Sequence, residues 1–177
     1  MTLEVARSPE ETGTSICPGC ALDMPSRPGV LNTSDFHASP ECWTVFGEVL
    51  AAEYSNAVLF GQVHQITVDA YAAQHAGGQH PDKSVGIHLC GLYLVFVRDV
   101  RPMAVAPMLH EIANSVDVWP EFPPPSARGS HTILDVALCA GDWETHVSTV
   151  RDWALDVWRS WQPQHRVVHE LVQRVID

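Results

Sequence analysis

KSVGIHLCGLYLVFV, Lys83 to Val97, is the stretch whose reading decides the fold. It is apolar almost all round, so periodicity alone does not separate a buried strand from a buried helix. It is longer than an ordinary strand, and no second strand pattern in the chain offers it a partner. It therefore predicts a buried helix, in which Gly86 and Gly91 permit close approach by neighbouring elements.

The segments on either side agree. Ser39-Pro40 opens a helix, with Ser39 as the cap and Pro40 at the first position, that runs to about Tyr54. Cys42, Phe46, Val49 and Glu53 share one of its faces. A second helix covers Val58 to Ala76 and ends at Gly77-Gly78. Pro107 starts a short helix to Asn114, Asp142 caps a long one to Trp161, and Pro163 begins the last, which ends near Val175. VWPEFPPPSARGS (Val118 to Ser130) is too rich in proline for either period and reads as a loop. TILDVALCA (Thr132 to Ala140) reads as an extended segment and turn, and the Pro-, Ser- and Gly-rich first forty residues as loops. The expected fold is mainly α: a helical bundle over residues 39–177, forming one globular unit, with an irregular N-terminal arm over residues 1–38.

Composition narrows the function. At 177 residues and 46% apolar the chain can bury one full core, and its net charge of −11 comes with no cluster of Lys or Arg. A nucleic-acid groove needs a positive field, so nucleic acid is not an expected partner. MTLEVARSPEETGTSI, the first sixteen residues, has no apolar core segment and does not read as a signal peptide. No run reaches the roughly 20 apolar residues of a membrane span. The expectation is a cytoplasmic protein without a disulfide framework, since its five cysteines are an odd number.

CPGC, Cys17 to Cys20, is either a redox pair or half of a zinc site. A redox pair sits at a helix N-terminus, which lowers the first thiol's pKa. Here ALDMPSRPGV follows, and its two prolines leave little room for a helix. A zinc knuckle needs only a tight turn and further ligands. Cys42 is the expected third ligand, and His37, or a histidine from elsewhere in the chain, the fourth, in a closed structural site that pins the arm to the first bundle helix.

The chain has ten histidines, and several fall on the expected helices. At about 100° per residue, His64, Val68, Tyr71 and His75 form one stripe on the second helix. His146 lies on a stripe with Trp143, Val150, Trp153, Val157 and Trp161, His165 shares a face with Val168 and Val172, and His110 follows Met108-Leu109. Four helices thus each offer a histidine to an apolar face, as in bundle metal sites. His64 and His75 are about 16 Å apart along one axis, so they cannot bind the same ion. Each histidine has the plainer alternative of a core residue bonded to a carbonyl. HEIAN at His110 lacks the second imidazole of a zincin helix, because Asn114 stands in its place.

CPGC, SPECWTVFGEVL, VHQITVDAYAAQHAGG, WPEFPPP and VRDWALDVWRSWQPQH together resemble an uncharacterised bacterial domain-of-unknown-function family. The resemblance covers about Cys17 to Val172. It implies that Cys17, Cys20, Cys42, His64, Asp69, Tyr71, Gln74, His75, His110, His146 and His165 are motif positions, and it supplies no chemistry for them.

The leading expectation is a metal-dependent enzyme of hydrolase or lyase type acting on a small molecule, with a structural zinc in its arm. A second metal ion in the bundle would be held by His64, His110, His146 and His165. Asp69, Tyr71 and His75 would support it or transfer protons. The alternative is a non-catalytic, zinc-stapled binding or regulatory module. Oligomeric state stays open.

Overall fold

The computed structural model describes residues 13–139 and 141–176. Residues 1–12 of the expected arm, and with them most of the stretch that does not read as a signal peptide, lie outside the described residues. Helix α1 spans Pro40–Tyr54, and Ser39 caps it by accepting from the Cys42 amide. Helix α2, Ala57–Leu59, runs through a π-helical turn, Phe60–His64, into α3, Gln65–Gln74. Helix α4 spans Asp82–Phe96, so the deciding stretch is helical. Helices α5 (Val105–Ser115), α6 (Ile133–Ala137), α7 (Trp143–Ser160) and α8 (His165–Ile176) complete the bundle. Among the described residues, no helix is long and apolar enough to cross a membrane.

Helix α3 lies at the centre and packs on α4 and α7, while α8 closes over α4 and α5. Ile66, Ala70, Ala72 and Ala73 of α3 are inaccessible to solvent, as are Leu89, Leu92 and Leu94 of α4. The two glycines of α4 do what the sequence suggests. A Cβ on Gly86 would come within 2.6 Å of the Phe122 ring, and one on Gly91 would overlap the Asp69 carboxylate. The proline-rich loop therefore seats Trp119 and Phe122 directly against α4.

Three expectations are corrected. Within the segment 132–139, Ile133–Ala137 is helical rather than extended: Thr132 caps it through a reciprocal box with Asp135, which stabilises even one turn. The arm is not all loop, because strands β1 (Thr14–Ile16) and β2 (Asp23–Pro25) pair antiparallel around the CPGC turn. Helix α5 also starts two residues before Pro107, which occupies its first turn, where no intrahelical N–H bond is lost.

Candidate metal centre

Hairpin β1–β2, the start of α1 and the end of α3 bring Cys17, Cys20, Cys42 and His75 together, with one ligand atom of each within 4.8 Å of every other. All four are buried, at 1%, 7%, 0% and 0% exposure. The local reasons are legible. In the CPGC turn the Ala21 amide donates to the Cys17 carbonyl, and Ala21 itself adopts a positive φ of 62°. A Cβ on Gly19 would overlap both the His75 ring and the His37 carbonyl, so only glycine fits there. Ser39 fixes Cys42 one turn into α1, and its own amide donates to Cys17 Sγ at 3.4 Å.

Two of the distances match those around a tetrahedral ion. Zinc–sulfur bonds of about 2.3 Å separate two sulfurs by about 3.8 Å, and a sulfur from an imidazole nitrogen by about 3.6 Å. Cys20 Sγ and Cys42 Sγ are 3.8 Å apart, and His75 Nε2 lies 3.4 Å from Cys42 Sγ. His75 Nδ1 donates to the Tyr71 carbonyl at 2.8 Å, which leaves Nε2 with the lone pair a metal needs. The Tyr71 hydroxyl donates to Cys42 Sγ at 3.6 Å, and its ring is stacked between Phe46 and His75. Burial, then the neighbouring Cys42, pushes that phenol well above its ordinary range.

Charge explains why the cluster suits a cation. Hydrogen bonding from Cys20, then Cys42, drives the Cys17 thiol far down. The Cys17 contact pushes Cys20 up to about 12, and Cys17 and Cys20 together drive Cys42 far up. The three sulfurs thus compete for negative charge, and a divalent cation among them would let all three thiols ionise. Soft sulfur with one imidazole in a closed tetrahedron is a donor set suited to zinc.

The expected fourth ligand is corrected. His37 does not join the cysteines; its amide donates to the His75 carbonyl at 3.0 Å and its ring lies against Gly77 and Gly78. His75, expected as a proton-transfer group, takes the position instead. The helix stripe already pointed His75 inward, but an eleven-residue gap from His64 gave no sign of which partner it meets.

The other histidines do not converge. Among the described residues, the cluster above is the group of three or more His, Cys, Asp or Glu close enough to share an ion. His64 Nδ1 lies 2.9 Å from Glu53 Oε2 and His146 Nε2 lies 3.1 Å from Glu53 Oε1. Thr67 also donates to this fully buried carboxylate, at 2.6 Å. His110 is exposed, because the buried stripe of α5 is Val105, Leu109 and Ile112 and His110 sits beside it. His165 stacks on Trp158 at 3.8 Å and donates to its carbonyl. Asp69 pairs with His88 at 2.8 Å and with Gln65, while burial pushes its carboxyl up and Oδ2 finds no partner. Gln74 clamps the proline-rich loop, donating to the Arg128 and His131 carbonyls and accepting from Trp153 Nε1. Glu53 escaped sequence reasoning as a functional group, although its place on the Cys42 face of α1 was the available signal.

Compared with known families, residues 15–162 match DUF5946, a family of unknown function. The chain belongs to that family. No curated protein and no solved structure matches it. The matched span of the DUF5946 model contains all four residues of the metal centre and both histidines on Glu53.

Proposed function

We propose that Cys17, Cys20, Cys42 and His75 hold one structural zinc ion, and that the protein is a zinc-stapled helical binding module. The observation that carries this reading is closure: four buried Cys and His ligand atoms lie within 4.8 Å of one another, enough protein donors for a full tetrahedral shell, whereas catalytic zinc keeps a position for water or substrate. Free cysteine ligands also suit a reducing, cytoplasmic setting. Metal content of the purified protein tests it. One zinc per chain, lost in Cys17→Ser, is expected; no bound metal in the wild type overturns it.

A second reading is favoured by Glu53. A buried carboxylate that accepts from two imidazoles turns the other nitrogen of each outward, the arrangement that orients histidine as a base or metal ligand. On that reading His64 and His146 serve a metal-dependent hydrolase or lyase acting on a small molecule. Two or more metal ions per chain would favour it over the module.

A further inference from the structure

The Phe60–His64 segment is π-helical, and π turns are frequent at functional sites because they widen a helix and re-aim its side chains. Gly61 and Gln62 of this turn form one wall of an open cleft of about 510 Å³. The opposite walls come from the 3₁₀ turn Pro102–Ala104 and from α7. That volume lies in the range of small-molecule sites, roughly 300–1,000 Å³. Gly61 matters to its shape, since a Cβ there would approach Met103 Sδ at 3.1 Å. Met103 itself is 74% exposed, an apolar side chain presented to the cleft with nothing covering it.

Two arginines, Arg101 and Arg151, line this cleft, and no acidic side chain does. The chain has only ten Lys and Arg against 21 Asp and Glu. Arg27 is engaged with Glu48, Arg166 with Glu170, and Arg128 with the Gln74 and Ala76 carbonyls, while Arg159 and Arg174, without a side-chain partner among the described residues, do not line this cleft. Neither Arg101 nor Arg151 has a side-chain partner among the described residues. In a strongly acidic protein, two unpaired guanidinium groups over an apolar floor form a local site for an anion.

We propose that this cleft binds an amphipathic carboxylate, its chain lying on Met103 and Val147 and its head group held by Arg101 and Arg151. The proposal deepens the binding-module reading and rests on it, but the cleft shares no lining residue with the metal centre. A planar carboxylate accepts two parallel N–H bonds from an arginine fork, whereas an alcohol cannot. The apolar body supplies affinity and the arginines select the charge.

The test is calorimetric titration of the full-length, zinc-loaded protein with decanoate, decanol and decyltrimethylammonium. Decanoate is expected to bind one to one, at least tenfold more tightly than decanol, with the cation not binding. Arg101→Gln and Arg151→Gln should each weaken decanoate about tenfold, and Ala104→Trp, at an exposed position, should block the cleft. Zinc content and helical circular dichroism of each variant should equal those of the wild type. Decanol binding as tightly as decanoate, or arginine variants that bind like the wild type, overturns the proposal. Zinc retained without decanoate binding defeats the cleft alone, while absence of zinc from the wild type defeats the module.

Discussion

His75 Nε2 lies 3.4 Å from Cys42 Sγ, and eleven residues away on each helix His64 meets Glu53. The later residue on α1 pairs with the earlier one on the α2–α3 rod, so the two run antiparallel and carry a histidine contact at each end. One end is soft and suited to a metal; the other is a buried carboxylate. The same eleven-residue spacing that keeps His64 and His75 off a single ion therefore gives each its own partner.

Zinc removal should loosen the protein well beyond the arm. Cys17→Ser and His75→Ala are each expected to lose the metal and lower the melting temperature by about 10 °C or more, since structural zinc is part of the folding free energy. His37→Ala, which leaves all four ligand atoms in place, should keep one zinc per chain. Elemental analysis with thermal melts reads both, and zinc loss in the His37 variant would return it to the ligand set.

Glu53 should matter more to stability than any exposed acid. Glu53→Ala strips a fully buried acceptor from His64, His146 and Thr67 together. A cost of about 3 kcal/mol is expected from urea unfolding. His64→Ala, with His146 and Thr67 still bonded to Glu53, should cost less. Equal losses would mean that the carboxylate is not the hub.

Much of this was open to sequence reasoning, for physical reasons. Ser39-Pro40, Asp142 and the Gly77-Gly78 stop carry their signals locally, so α1, α7 and the end of α3 fall where the pattern puts them. The thiols were legible because CPGC fixes two of them by chain geometry alone. His75 against His37 was not, because the choice depends on how α3 meets the arm, and the spacing alone leaves both histidines within reach of the thiols. The convergence of four histidines failed on a similar point. Helical spacing says that a residue faces inward, yet His165 satisfies itself on its neighbour Trp158, and the π turn resets the angle at His64.

Acid should destabilise the fold through His80. Burial lowers its pKa from an ordinary 6.5 to about 4; Nδ1 donates to the His75 carbonyl and Nε2 faces Ser84 Oγ. A depressed folded pKa means that the unfolded chain binds the proton first. The contribution is therefore complete above pH 6.5 and drains away as pH falls toward 4. His80→Asn, which keeps a donor near Nδ1, should flatten the melting-temperature profile across that window. An unchanged slope would show that other groups set it.

The CPGC turn offers the sharpest test of the metal centre, because glycine is required there by contact rather than by backbone angle. Gly19→Ala places a methyl group where the His75 ring and the His37 carbonyl already stand, so the hairpin must shift away from α3. Zinc affinity should fall at least tenfold, measured by competition with a chromogenic chelator, even though every ligand remains. Gly47→Ala is the matched control: it sits on the exposed face of α1 with open space around its Cβ position. There alanine should stabilise the helix by about 0.8 kcal/mol and leave zinc affinity unchanged. If Gly19→Ala instead binds zinc as the wild type does, the hairpin and His75 are not packed as described, and the fourth ligand must come from elsewhere.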